Sequence, residues 1–448
     1  MRSLRIAALV AMVVAVAPVA GPGAVGRGAA PARAVSRGPV VRPAVTGNVS
    51  AHGYTSPLST SDCLSQVGIA CYTPLQYRVA YDLNPLYAKG IVGTGRTIVI
   101  VDSYGSPTIT SDLHAFDQQF GFPDPVLEIR KFGNVPPFDS GNGTMVGWAT
   151  ETTLDVEYAH SIAPGARIVL VETAVAETEG TTGLPQMMRA EDHLIKNGVG
   201  DVITQSFGAT ENTFRGYSHG DFTSLMNLRY AFQDAQAAGV TVLASSGDAG
   251  ATDYKSDGSS LYSKRVNSWP SSDPLVTSVG GTQLSLDNSG NRVSPDVVWN
   301  DGYGAGGGGE SGAFSRPSFQ DGVAGVVGAQ RGTPDISMSA AVNGAAWVYW
   351  TFGGSPGWHL IGGTSEASPI FSGIVAMADQ KAHHRLGDIN PALYAMGAAG
   401  SGTGLVDVTS GNNSFAGVTG FNGTTGYDLA SGWGTIDGAA FVKALAAH

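Results

Sequence analysis

Four short runs rich in valine and isoleucine constrain the fold of this 448-residue chain more than any other feature. They are TIVIVD (97–102), ARIVLVET (166–173), DVITQSFG (201–208) and VTVLASSG (240–247). Helix-like stretches separate them, for example LMNLRYAFQDAQAAG (225–239), which ends at a glycine stop signal. Nearly continuous apolar strands that alternate with helices are typical of a parallel sheet covered on both faces. The sequence therefore predicts an α/β fold in three layers, with helices on both sides of a mostly parallel sheet.

The amino-acid composition and net charge exclude several kinds of protein and of binding partner. The chain is 42% hydrophobic and only 14% charged, which supports a large buried core and excludes a disordered protein. Its net charge of -11 argues against nucleic acid or an anionic membrane surface as a partner. The same charge suits a protein that works in acid, where many carboxylates are neutral.

The N-terminus has the layout of a secretory signal peptide. Arg2 and Arg5 precede an apolar run over 6–16 that is too short to span a bilayer. We expect a signal and cleavage region over 1–34, with cleavage between about 20 and 34, and a secreted, extracellular product without membrane association. We expect a poorly ordered lead-in over 35–71, which is too short and too polar for a long prodomain, and one large folded domain over 72–448.

The chain has two cysteines, Cys63 and Cys71. An export signal favours a disulfide between them, because secreted proteins meet an oxidising environment. Two free thiols are the alternative. Neither interpretation gives the cysteines a part in the chemistry.

A candidate nucleophile, Ser365, lies in GGTSEASPIFSG (362–373), just before an apolar stretch over 369–380 that predicts a buried helix. The N-terminus of a helix favours negative charge, and its free N–H groups can stabilise an oxyanion. An ordinary helix cap is the alternative. A nucleophilic serine also needs a base.

Two sources of a base are open. Asp102, His160 and Ser365 follow the chain order of the subtilisin triad, but the His-Gly-Thr context of subtilisins is absent. Glu151 and Asp155, in WATETTLDVEYAH (148–160), are spaced i, i+4 and project from one face of a helix. Such a pair can act as base and orienter, or merely complement a helix dipole. Asp248, in SSGDAGA (245–251), is either an oxyanion donor when protonated or a turn residue.

The chain resembles the sedolisins, or serine-carboxyl peptidases, which have a subtilisin-like fold and a glutamate base. The resemblance runs from about Tyr72 to the C-terminus. Its motifs are ETTLDVE, SIAPGARI, SFG, SSGDAG, WPSSDPLVTSVGGT, FSRP, RGTPDIS, GGTSEASP and GYDLASGWGT. It implies Glu151 as the base, Asp155 as its orienting partner, Ser365 as the nucleophile and Asp248 as the oxyanion acid. Asp102 then has no role in the triad.

The same resemblance implies a structural calcium ion and a substrate-binding strand. For one Ca²⁺, oxygen ligands would come from the side chains of Asp407 and Asp428 and the carbonyls of Val408, Thr424 and Gly426. For substrate, the backbone of Ser206, Phe207 and Gly208 would pair with the peptide as an added strand. An interior strand followed by a turn is the alternative for the second site.

These features predict a secreted, monomeric endopeptidase that cleaves proteins or peptides in acid through an acyl-enzyme on Ser365. Three alternatives remain at the level of sequence. One is a subtilisin-like protease using Asp102, His160 and Ser365, and another is a pseudoprotease that only binds its partners. The third is a glycosidase using Glu151 and Asp155, which leaves the context of Ser365 unexplained.

Overall fold

A computed structural model of the chain describes residue 39 and residues 41–43, 45–48, 53–175 and 183–448. All of these residues belong to one compact unit, Arg37–His448. The predicted signal region over 1–34 lies outside the described residues, as does part of the predicted lead-in. Within the described ranges, no helix combines the length and the apolar character needed to cross a bilayer.

The strands of the described residues are short, as expected for a chain rich in turns. They are β1 (Arg42–Pro43), β2 (Val45–Asn48), β3 (Cys71–Tyr72), β4 (Thr97–Ser103), β5 (Leu127–Phe132), β6 (Arg167–Thr173), β7 (Val202–Gln205), β8 (Phe207–Thr210), β9 (Thr241–Ser245), β10 (Ser268–Trp269), β11 (Thr277–Gln283), β12 (Val297–Val298), β13 (Gly309–Ser315), β14 (Gln330–Thr333), β15 (Ile336–Ser339), β16 (Ala345–Trp350), β17 (Gly357–Gly363), β18 (Leu405–Val406) and β19 (Thr435–Ile436).

The helices include two long ones, α5 and α10, which carry most of the candidate site. The set is α1 (Thr60–Gln66), α2 (Pro74–Ala80), α3 (Asn84–Tyr87), α4 (Ile109–Phe120), α5 (Gly143–Ile162), α6 (Gly183–Lys196), α7 (Thr223–Met226), α8 (Tyr230–Ala238), α9 (Ala324–Val327), α10 (Thr364–Ala382), α11 (Asn390–Ala399) and α12 (Gly438–Leu445).

The central sheet has the strand order β12-β11-β9-β7-β4-β6-β5, and β15 pairs with β11. Its neighbours run parallel except for β11 and β12, which pair antiparallel. The four valine- and isoleucine-rich runs contain β4, β6, β7 and β9, so the predicted mostly parallel sheet is confirmed. Because these strands run the same way, their C-terminal ends meet at one edge, where the candidate site lies.

Alternating residues of the central strands bury both faces of the sheet. Ile98 and Ile100 of β4 join one hydrophobic core, to which α5 and α10 contribute. Val99 and Val101 of the same strand join a second core with α6 and α8. This alternation follows from the two-residue repeat of a strand and confirms the predicted three layers.

Two predictions about local structure were wrong in part. The helix predicted over 225–239 is broken into α7 and α8, although Gly239 ends it in the left-handed conformation as expected. The predicted poorly ordered lead-in over 35–71 differs from the structure at 53–71, where α1 forms behind the cap of Ser59. A disulfide between Cys63 and Cys71 explains that order, since it ties α1 to β3. The two cysteines, for which the sequence favours pairing, form this bond in the structure.

Candidate active site

Ser365 lies inside a helix, which corrects its predicted position just before one. Strand β17 ends at Gly363, and helix α10 begins at the next residue, Thr364. Pro369 has no N–H to donate to the carbonyl of Ser365, four residues earlier. The hydroxyl Oγ of Ser206 lies 3.5 Å from that carbonyl oxygen instead. Ser365 is fully buried, and its own hydroxyl has no hydrogen-bond partner among the described residues.

Glu151 and Asp155 lie deep within helix α5, not in its first turn. The helix begins at Gly143, so complementing the helix dipole does not account for these two carboxyl groups. Both side chains are fully buried. Asp155 Oδ1 accepts a hydrogen bond of 2.8 Å from Ser206 Oγ, so Ser206 connects the pair to the turn of Ser365.

Burial dominates the electrostatics of this carboxyl pair. It raises the pKa of Glu151 well above its usual range, the charge of Asp155 raises it further, and the nearby Ser365 hydroxyl lowers it. Neither oxygen of Glu151 forms a full hydrogen bond with Ser365, but the two groups face each other in one buried space. Hydrogen bonds of a catalytic site are often loose before substrate binds. The arrangement can therefore move a proton from Ser365 to Glu151.

Asp102 is a third member of this cluster. The resemblance to the sedolisins gives Asp102 no role in the triad. It is the last residue but one of β4 and is fully buried, and neither of its carboxyl oxygens has a hydrogen-bond partner among the described residues. Burial raises the pKa of Asp102 to about 7. After burial itself, the charge of Asp102 is the largest cause that raises the pKa of Asp155. Its place at the C-terminal end of a central strand was the available signal.

Asp248 is held directly against the turn that carries Ser365. Its Oδ1 accepts hydrogen bonds from the N–H and the hydroxyl of Thr364, at 2.7 and 2.8 Å. The Gly247 N–H in turn donates to Thr364 Oγ1 at 3.0 Å. A side chain at Gly307 would lie 2.0 Å from the carbonyl oxygen of Ser246, so this backbone approach requires glycine.

The predicted substrate strand is already paired with another part of the chain. Ser206 precedes β8, which Phe207 and Gly208 begin. Gly208 pairs antiparallel with Arg42, and Phe207 pairs with Pro43 of β1. On its other side, β8 pairs with β10. Strand β8 thus pairs with an extended segment of the chain itself, and β1 occupies the edge predicted for substrate.

His160 faces away from this cluster. Its Nε2 lies 3.2 Å from Asp117 Oδ1, and both side chains are buried between α4 and α5. His160 contacts Asp117 and the ring of Phe122. The geometry therefore does not favour the subtilisin-type triad.

Comparison with known proteins decides the family. The sequence model of the subtilase family matches residues 140–424. The chain is 37% identical to sedolisin from Pseudomonas sp. (strain 101) over 374 residues, which cover 82% of this chain and 60% of sedolisin. It is 32% identical to kumamolisin from Bacillus sp. (strain MN-32) over 357 residues, covering 77% of this chain and 58% of kumamolisin. The chain belongs to the subtilase family, in its sedolisin group.

Structure comparison agrees with this assignment and confirms the predicted subtilisin-like fold. The solved structure of Pseudomonas sedolisin, a serine-carboxyl proteinase complexed with two molecules of pseudo-iodotyrostatin, has a TM-score of 0.71 to this chain. The two are 29% identical, and the match covers 84% of this chain and 98% of that structure. This sedolisin-group chain spans about three fifths of the length of sedolisin and kumamolisin.

The predicted calcium ligands of this sedolisin-group chain lie in two loops that contact each other. Asp407 Oδ2 accepts from the Gly426 N–H, and Asp428 Oδ2 accepts from the Thr424 N–H, each at 2.8 Å. A side chain at Gly423 would lie 2.8 Å from the carbonyl oxygen of Val408, so that carbonyl points at the second loop. Two carboxylates and the carbonyl of Val408 are hard oxygen donors of the kind that Ca²⁺ takes. No group of three or more His, Cys, Asp or Glu side chains suited to a metal occurs in the described ranges.

Glu366 is a further buried acid that sequence reasoning passed over. It follows Ser365 in the first turn of α10 and is fully buried, and its oxygens have no hydrogen-bond partner among the described residues. Burial raises the pKa of Glu366 to about 8, while Tyr77 and Ser339 lower it. Its neighbours come from α2 and β15, so no local motif in the sequence marks it.

Proposed function

We propose that this chain is a secreted serine-carboxyl peptidase that hydrolyses peptide bonds of proteins or peptides in acid. The carrying observation is that Ser365 and Glu151 share one buried space, with Asp155 held by Ser206 and Asp248 held by Thr364. Membership of the sedolisin group supports the same conclusion. The signal-like N-terminus supports secretion.

In the first half of the proposed reaction, ionised Glu151 accepts the proton of Ser365 as Oγ attacks the substrate carbonyl carbon. Negative charge develops on the carbonyl oxygen. A protonated Asp248 and the free N–H groups at the start of α10 donate hydrogen bonds to it. Glu151 then passes its proton to the leaving amine as the C–N bond breaks, and an acyl-enzyme on Ser365 remains.

In the second half, Glu151 takes a proton from water, whose oxygen attacks the acyl carbon. Collapse of this intermediate breaks the ester bond and returns the proton to Ser365. Asp155 positions Glu151 throughout, because the buried pair retains one proton between its carboxyl groups. The mechanism requires Glu151 ionised while Asp248 is protonated, so its activity is confined to acid.

We also propose one structural calcium ion at the two C-terminal loops. Asp407 and Asp428 would supply carboxylate oxygens, and Val408, Thr424 and Gly426 would supply carbonyl oxygens. The ion would tie the loops together without a part in catalysis. The short distance between the loops supports this site.

Two substitutions test the mechanism on a denatured protein substrate in acid. Ser365→Ala and Glu151→Gln should each lower kcat by at least about 1,000-fold, because nucleophile and base act as a unit. Glu157→Gln is the matched control: Glu157 is also a buried glutamate of α5, but it accepts a 3.1 Å hydrogen bond from the Tyr349 N–H. An equal loss of kcat in Glu151→Gln and in the control Glu157→Gln would exclude this mechanism. Full activity in Ser365→Ala would also exclude it.

A further inference from the structure

A pocket of about 220 Å³ lies beside Asp248, at the edge of β8 where substrate is proposed to bind. Gly208 lines it on the side of the strand, and Asp253 and Tyr254 line another side. A peptide paired with β8 would direct one side chain into this space. The groups that line the pocket therefore select among substrates.

The chain's own Arg42 occupies the position of such a peptide residue. Its backbone pairs with Gly208, and its guanidinium carbon lies 4.4 Å from the centroid of the Tyr254 ring. A cation over the face of a tyrosine ring is attracted by the negative charge of that face. Arg42 also lines the pocket, where it is the one basic residue among the described lining residues.

The carboxyl group of Asp253 lines the same pocket and is an acidic partner for a basic side chain. It accepts hydrogen bonds from the Ser268 hydroxyl and, at 2.7 Å, from the Tyr254 N–H, which fix its orientation. Burial raises the pKa of Asp253, and the charge of Arg42 is among the groups that lower it. An aromatic face and a fixed carboxyl group together favour a cation over a neutral side chain.

We propose that this pocket selects a basic side chain of the substrate, arginine or lysine, with Arg42 standing in for it in the present structure. The residue enters between the Tyr254 ring and the Asp253 carboxyl group while its backbone pairs with Gly208. This inference rests on the proposed peptidase function, because it treats β8 as the substrate strand.

The test uses two labelled peptides with the sequence of residues 39–48, which keep the register of Arg42. One carries arginine at that position, and the other carries citrulline, a neutral residue of nearly the same shape. Full-length protein with Ser365→Ala binds them without cutting, and fluorescence anisotropy gives each Kd. We expect the arginine peptide to bind at least tenfold more tightly. Strand β1 competes equally with both peptides, so it does not affect the ratio.

Two further substitutions test which groups of the pocket distinguish arginine from citrulline. Asp253→Asn keeps an oxygen acceptor but removes the acidic group, and Tyr254→Leu removes the aromatic ring. Each substitution should lower the ratio of the two Kd values, citrulline peptide to arginine peptide, below about threefold. Asp257→Asn is the control, because Asp257 lies in the same loop and its carboxylate accepts from the Ser259 and Ser260 N–H groups instead. It should leave the ratio unchanged.

Hydrolysis of the same peptides by the wild-type protein separates this inference from the proposed function. Tight binding of the arginine peptide that depends on Asp253, without hydrolysis of any substrate, would support the pocket and contradict the peptidase. A ratio near one, or a ratio that Asp253→Asn and Tyr254→Leu leave unchanged, would overturn the inference.

Discussion

Buried carboxyl groups determine the chemistry at the scale of single residues. Glu151, Asp155 and Asp102 share one interior space, and burial raises the pKa of each. Each added charge makes the next ionisation harder, so the cluster keeps protons at a pH where exposed carboxyl groups have lost them. A histidine base would respond to pH differently, since burial favours its neutral form.

Glu366 gives a prediction for stability at this scale. Its pKa is about 8 in the folded protein and 4.5 in an unfolded chain, so the folded state binds its proton more tightly. Its contribution is fully present below pH 4.5 and is lost as pH rises toward 8, by about 1.4 kcal/mol per pH unit at most. The unfolding free energy of Glu366→Gln should therefore fall less steeply between pH 4.5 and 8 than that of the wild type.

Chemical denaturation at several pH values between 4.5 and 8 measures the effect. Glu310→Gln, at a highly exposed position of β13, is a control that should reproduce the wild-type slope. An unchanged slope in Glu366→Gln would show that Glu366 titrates normally in the folded protein.

Sequence reasoning identified residues through motifs but not through contacts between distant elements. Ser365, Glu151, Asp155 and Asp248 lie in motifs of the sedolisin group, and the structure brings them together. Asp102 and Glu366 depend on neighbours far away in the sequence, so single-sequence patterns do not reveal their burial among other acids or tyrosines.

At the scale of elements, apolar runs predicted the strands well because burial on both faces requires them. Helix ends were less predictable. The break between α7 and α8 follows no proline, and α10 begins at Thr364, directly after β17. The pairing of β1 with β8 depends on contacts between distant segments and had no signal in the sequence.

Strand β1 gives a prediction at this scale, because it occupies the edge that substrate is proposed to use. Val41 lies next to β1 and is fully buried, in the same hydrophobic core as Phe207 and Ala209 of β8. Val41→Asp would bury a charge and expel β1, so KM should fall at least about threefold with little change in kcat. Steady-state kinetics on a peptide substrate measure both constants.

The control for that experiment is Val126→Asp, which makes the same change at a side chain that is 68% exposed. It should leave KM as in the wild type. A KM that does not change in Val41→Asp, in protein shown to be folded, would mean that β1 does not compete with substrate.

At the scale of the whole molecule, one prediction concerns metal removal. If calcium ties the two C-terminal loops together, a chelator should lower Tm by several degrees, and added Ca²⁺ should restore it through mass action. Asp407→Asn should have a lower Tm and lose most of the response to chelator. Thermal unfolding that is the same with chelator, with Ca²⁺ and in Asp407→Asn would contradict the proposed ion.

The central claim is that a carboxylate, not a histidine, activates Ser365. Its most direct test is the rate of hydrolysis of a denatured protein from pH 3 to 8, with Ser365→Ala as the blank. The proposed mechanism predicts a bell-shaped profile with its maximum below neutrality, because Glu151 must be ionised while Asp248 is protonated. Activity that depends on Ser365 and remains undiminished at pH 8 would contradict it.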